Sequence, residues 1–339
     1  MSHTGTLSRR HCIAGLGLLS VAGFIRPALA RSDVARASQL LMGTRVDLVA
    51  QGPKAQLAID NALSEMARLQ ALMSRYRDDS EVAALQRAAG KHSVQVSPET
   101  MAVLQQAQSL SRASRGAFDI TVGAYDGWSF APGQVRLPSS EELRQQSHLV
   151  DHHWLELEPA TGQARLMRAG MKLDLGGIAK LPILAAGMQV LKQHDLKGAM
   201  INGGGDVLTM GQLQGQDWRV GLRDPRAPEQ MLGIVSLSDG VIASSGDYER
   251  TFVRNGQRYH HVLDPRTGKP TQDVRGVAMV ASSIEAVNGL GAAVMVAGSQ
   301  AGRQLLDSQA GVDSLIVAAD SQFWMSGRMG HRLQLAVKA

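Results

Sequence analysis

Phe252-Val253-Arg254-Asn255-Gly256-Gln257-Arg258-Tyr259-His260-His261-Val262 reads as two short strands folded back about Asn255-Gly256. An Asn-Gly pair supplies the two positive-φ positions of a type I′ turn, whose twist matches that of the strands it joins. Upstream, short apolar runs between Trp154 and Leu175 flank Pro159-Ala160-Thr161-Gly162, a second turn signal. Antiparallel hairpins therefore dominate the middle of the chain. Towards the N-terminus, Leu40 to Ala50 alternates as a strand does, and Pro53 to Tyr76 carries Leu57, Leu63, Met66, Leu69 and Met73 at helical spacing. Ser97-Pro98-Glu99 places a cap residue, a first-turn proline and an acid at the start of a helix that should end by Gly116. From Gly276, a strand-like Val277-Ala278-Met279-Val280 precedes two short helical patterns. The fold class is α+β, with mixed, mostly antiparallel sheets and packed helices.

The first thirty residues read differently from the rest. Ser8-Arg9-Arg10-His11-Cys12 leads into an apolar run from Cys12 to Ile25 and then Ala28-Leu29-Ala30. That is the pattern of a twin-arginine signal peptide at residues 1–30, cleaved before Arg31, and it predicts a periplasmic or otherwise exported protein. The run is too short and glycine-rich for a membrane span, and no later stretch qualifies as a transmembrane helix. What remains, 31–339, suffices for one large domain or two intimate subdomains. The whole chain carries a formal charge of +5; Arg9, Arg10 and Arg26 fall in the signal with no acid beside them, leaving about +2. Nucleic-acid binding gains no support from that balance. The only cysteine, Cys12, leaves with the signal, so the mature part has neither disulfides nor thiol ligands.

Four glycine or polar clusters interrupt the regular elements. In Leu173-Asp174-Leu175-Gly176-Gly177-Ile178-Ala179-Lys180 a strand turns into a helix, with Pro182 in its first turn. Backbone N–H groups there, with Lys180 beside them, can hold a pyrophosphate; the plainer reading is a simple connection. Ile201-Asn202-Gly203-Gly204-Gly205-Asp206-Val207 puts three glycines in a strand-like pattern, for a close approach or a bulge. It is not a dinucleotide fingerprint, because no helix follows. The others are Ser244-Ser245-Gly246-Asp247-Tyr248 and Tyr259 to Gly268, the latter ending in the turn-like Asp264-Pro265-Arg266-Thr267-Gly268. His261, three residues before that turn, can accept a proton from a hydroxyl near neutral pH. Strand alternation points His260 the other way.

Together with Met42-Gly43-Thr44, Met73-Ser74-Arg75-Tyr76, Ser80-Glu81 and Gly116-Ala117-Phe118-Asp119-Ile120-Thr121-Val122-Gly123, these clusters resemble, in order and spacing from about Met42 to Gly298, the ApbE family of FAD:protein FMN transferases, including its NosX-like members. The resemblance implies a flavin transferase domain related to the T-fold. It implies transfer of FMN from FAD to a Ser or Thr hydroxyl of an acceptor protein in a membrane-associated electron-transfer system, releasing AMP, with Mg²⁺ assisting. Met42, Tyr76, Ala117, Phe118, Asp119, Asp174, Lys180 and Val262 would then contact FAD, and His261 and Asp264 would be catalytic. The residue types agree: Met42, Tyr76 and Phe118 can pack on a ring, and Asp174 can hydrogen-bond a ribose or ring nitrogen, although Met42 and Phe118 are equally suited to ordinary core packing.

The metal is expected at the carbonyl of Gly177 and the side chain of Asn288, and here the chain departs from the family. Asn288-Gly289-Leu290-Gly291-Ala292 stands where relatives have Asp-Ala-Leu-Ala-Thr, so a carboxylate and a hydroxyl are lost. Leu181 also replaces a usual Gly and Ala185 a usual Asp. Asp247 or Glu285 is a candidate to replace the missing acid. Three activities fit the pattern: an active transferase, a weakened FAD-binding carrier or assembly factor, and a metal-dependent FAD pyrophosphatase.

Overall fold

A computed structural model describes residues 33–131 and 133–336. The signal reading of residues 1–30 lies outside the described residues. The centre is an eight-stranded sheet in the order Val34–Leu41, Thr44–Gln51, Gly198–Gly203, Asp206–Gly211, Gly240–Gly246, Val274–Ala281, Asp313–Ala318, Phe323–Met325. Every neighbouring pair is antiparallel.

Alternation along these strands separates two apolar layers. Val241, Ala243, Val277, Met279 and Ile316 point to one face, where helices Ala55–Met73, Lys180–Lys192 and Leu290–Asp307 cover them. Ile242, Ala278, Val280, Leu315 and Val317 point to the other, covered by the three-stranded sheet of Trp218–Asp224, Ala227–Leu237 and Leu333–Leu335. Strands buried on both faces read as continuous apolar runs, which is why Val277 to Ala281 shows no period of two. From Asp33 onwards the described residues form one compact unit.

Two sequence expectations change. Leu40 to Ala50 is a hairpin rather than one strand: Met42 at φ 54° and Gly43 at φ 71° make its two-residue turn. The Gly203-Gly204-Gly205 cluster is likewise a hairpin turn and not a bulge, with Gly204 at φ 65° and Gly205 at φ 95° between paired strands. The two turns touch: a Cβ on Gly204 would lie 2.4 Å from Thr44 Oγ1. Leu173 to Leu175, expected as a strand, belongs to no strand and leads into helix Lys180–Lys192.

Other elements follow the sequence. Ser97 caps helix Pro98–Ala113 by accepting the Thr100 N–H, and Gly116 turns the chain at φ 77°. Asn255 and Gly256, at φ 52° and 75°, join Thr251–Arg254 to Gln257–His260. The two C-terminal helical patterns are two helices within Leu290–Asp307, separated at Gly298 (φ 85°, ψ 171°). No described helix is long and apolar enough to cross a membrane.

Candidate active site

One cavity of about 420 Å³ opens where the sheet ends, the glycine loop and the Asn255 hairpin converge. That size suits a small-molecule ligand. Its floor is the loop Asp174 to Lys180. Asp174 Oδ1 accepts the Gly176 N–H at 2.8 Å, fixing the turn, and Oδ2 takes Arg75 Nη1 at 2.7 Å. Gly177 has no room for a side chain without pressing on Phe118, whose ring carbon would lie 3.3 Å from a Cβ there. The loop feeds helix Lys180–Lys192, which no side chain caps. An uncapped helix start presents N–H groups and the positive end of the helix dipole. Lys180 is held by Asp206, Nζ to Oδ2 at 2.8 Å, and Asp206 Oδ1 accepts the Ser244 N–H.

The opposite wall carries His261, Val262 and Arg250. His261 N–H donates to the Arg250 carbonyl at 3.2 Å. Its ring Nδ1 is buried without a partner, the kind of orphaned polar atom that recurs at functional sites. Burial first, then the charges of Arg250 and His260, pull its pKa down to about 3, so the imidazole is neutral across the physiological range. His260 turns away, as alternation requires, and is buried with Nε2 2.7 Å from the Thr271 carbonyl. Burial lowers its pKa as well. Tyr125 and Tyr248 line the cavity, and burial pushes both hydroxyls up to about 12, keeping them as protonated donors.

Of the sequence-derived residues, Tyr76, Ala117, Phe118, Asp119, Asp174, Gly177, Lys180, His261, Val262 and Asn288 all line this cavity. Met42 and Asp264 do not. Met42 sits in its hairpin turn and packs against the main core, its N–H donating to Gln70 Oε1. The Asp264 carboxylate accepts the Arg266 N–H at 3.0 Å and pairs with the Arg266 guanidinium at 2.9 Å, while the Asp264 carbonyl accepts the Gly268 N–H. It organises the turn that brings Leu263 and Pro265 to the cavity. Asp119 is also heavily engaged: Oδ1 accepts from Thr121 N and Oγ1, and Oδ2 from His152 N.

Sequence reasoning gave no role to Arg75, Asp206, Trp128, Phe130 or Arg250. Arg75 and Asp206 stood inside quoted motifs, but their partners lie far away along the chain. Trp128 and Phe130 belong to an aperiodic loop and stack at 5.7 Å. Phe130 continues onto Phe252 at 5.7 Å, and Phe252 onto Tyr259 at 5.2 Å. This quartet, with Trp128 Nε1 donating to the Gly268 carbonyl, ties the isolated hairpin to the cavity rim.

The donor set at the expected metal position does not fit a divalent cation held by protein alone. Both Asn288 amide hydrogens are spent, on Gln106 Oε1 at 2.8 Å and the Ile178 carbonyl at 2.9 Å, and Ala292 has no donor atom. Asp247 cannot stand in, because it faces Arg258 at 3.2 Å and Arg275 at 3.9 Å; Glu285 is exposed and outside the lining. Hard cations prefer anionic oxygens, and Asn288 and Ala292 supply none.

Scaffold and cavity together define an antiparallel α+β protein with a ligand-sized cavity at the strand ends. The ApbE family model matches residues 42–316, and the chain belongs to that family. It is 31% identical over 319 residues to the FAD:protein FMN transferase of Treponema pallidum, covering 88% of each chain. With that of Klebsiella pneumoniae it shares 32% over 235 residues, 69% of this chain and 72% of the relative. Among solved structures, the ApbE protein of Thermotoga maritima superposes with a TM-score of 0.82 at 28% identity, covering 89% of this chain and 99% of that one. Flavin transferase ApbE from Vibrio cholerae gives 0.76 at 25%, covering 88% and 99%.

Proposed function

We propose that this chain is a FAD:protein FMN transferase. The observation that carries the proposal is one cavity joining a glycine loop and uncapped helix start to a neutral, half-buried imidazole whose Nδ1 is out of solvent. FAD is the donor substrate. A Ser or Thr hydroxyl of the acceptor forms a bond to the phosphorus on the FMN side; the P–O bond to AMP breaks, and AMP leaves with that electron pair. The hydroxyl proton passes to the His261 ring, which burial keeps free to receive it. Gly176, Gly177 and the start of helix Lys180–Lys192 position the phosphates. Arg75 holds Asp174 in place for the ribose or a ring nitrogen. Tyr248 donates a hydrogen bond, while Tyr125 spends its hydroxyl proton on the Pro265 carbonyl at 3.0 Å and shapes the wall. A divalent cation, where bound, would neutralise phosphate charge; the neutral Asn288 corner gives it no protein cage, so no step is assigned to it.

In this reading the acceptor belongs to a membrane-associated electron-transfer system, and the twin-arginine pattern at residues 1–30 supports an enzyme of the periplasm or another exported compartment. The test is to incubate protein, FAD and candidate acceptors, then read flavin fluorescence on the denatured acceptor. The Asn288 and Ala292 replacements favour one second reading, a FAD carrier that transfers poorly. FAD binding without label on any acceptor would select it; free FMN without an acceptor would select a pyrophosphatase.

A further inference from the structure

Three cationic side chains line the cavity, and two are locked: Arg75 on Asp174 at 2.7 Å and Lys180 on Asp206 at 2.8 Å. The third, Arg250, makes no side-chain hydrogen bond or ion pair among the described residues and is exposed. It stands beside His261, whose N–H its own carbonyl accepts at 3.2 Å. Across the cavity, Asn288 and Ala292 offer no anionic donor for a cation. The one cluster of metal-ligating side chains among the described residues, Asp151, His152 and His153, lies outside the cavity lining.

Among the cations of this cavity, a pyrophosphate therefore meets one that no carboxylate neutralises. We propose that Arg250 holds the pyrophosphate of FAD beside His261, supplying the positive charge that a cation at Asn288 does not. The inference rests on the flavin transferase reading. Guanidinium suits the role: it is always charged, weakly hydrated, and offers parallel N–H donors that match two phosphate oxygens. As the acceptor oxygen bonds to phosphorus and its proton passes to His261, negative charge grows on the phosphoryl oxygens and the departing AMP. A guanidinium close enough to His261 to help keep it deprotonated is placed to meet that charge.

The experiment measures FAD and ADP binding by equilibrium dialysis in EDTA and in millimolar Mg²⁺, for wild type, Arg250→Gln and Arg250→Lys. Wild type should bind FAD equally in both buffers. Arg250→Gln should weaken FAD and ADP by about tenfold or more, with a shallower salt dependence and an unchanged melting curve. Arg250→Lys, which keeps the charge and loses the fork, should fall between. Wild-type affinity in Arg250→Gln, or wild-type binding that appears only with Mg²⁺, overturns the inference and leaves the transferase reading standing. A wild type that binds FAD in neither buffer overturns both.

Discussion

His261 is the residue on which the chemistry turns, and its environment makes a measurable demand. In the FAD-free protein its pKa near 3 lies below that of a solvated histidine, so an unfolded chain binds a proton between about pH 6.5 and 3 that the folded chain refuses. His261's contribution to stability is then complete above about pH 6.5 and lost as pH falls towards 3. Its ring proton resonances should stay fixed between pH 8 and 5; a midpoint near 6.5 would mean that the ring is solvated. His261→Ala should slow labelling by about 10²- to 10⁴-fold with FAD binding retained. His260→Ala should instead cost about 1–3 kcal/mol of stability, because the Thr271 carbonyl loses its buried partner. Unfolding by urea separates the two. Asn288 makes the other demand at this scale. Wild type should show no heat of Mg²⁺ binding without FAD, and Asn288→Asp with Ala292→Thr should gain it; an unchanged double variant would mean that the corner is closed to cations whatever its charge. The sequence disclosed the identity of these residues but not their state, since neither a buried Nδ1 nor an amide with both hydrogens spent has a sequence signature.

Among the elements, the Asn255 hairpin and the glycine turns do most to shape the site. Thr251–Arg254 and Gln257–His260 pair only with each other, and an isolated hairpin is marginal. The Trp128, Phe130, Phe252 and Tyr259 stack is what anchors it. Trp128→Ala removes two ring contacts and one hydrogen bond, so amide exchange across 251–260 should quicken by about tenfold to a hundredfold while global unfolding moves little. Exchange unchanged in that segment would show that the stack does not hold it. Gly204→Ala meets both a positive φ and Thr44 Oγ1, and should cost about 1–3 kcal/mol in urea unfolding. Asn255-Gly256 was readable because that pair is a strong turn signal. Met42-Gly43 was not, because a methionine in the left-handed region gives no warning, and the strand pattern ran on through it. The glycines of 203–205 signalled an unusual backbone but could not say whether it bulged or turned.

For the whole molecule, the α+β class and the antiparallel middle followed from periodicity and turn residues, whereas the sheet order did not. Joining Thr44–Gln51 to Gly198–Gly203 requires pairing across nearly half the chain, and short-range patterns carry no such information. The same holds for the site. Arg75 and Asp174 meet over a separation of 99 residues, and Arg250 enters the cavity only because its hairpin is docked there. Family motifs supplied most of the lining residues; Met42 and Asp264 lie outside that lining, one in a turn against the core and the other in a turn. The central claim is that this cavity moves FMN from FAD onto a protein hydroxyl. The most direct measurement is mass spectrometry of a Ser- or Thr-bearing acceptor from a membrane-associated electron-transfer system after incubation with protein and FAD, beside the same reaction with His261→Ala. The account predicts an acceptor heavier by one phosphoester-linked FMN, with AMP released, and little or none with the variant. An acceptor of unchanged mass across several candidates, while FAD remains bound, would contradict it.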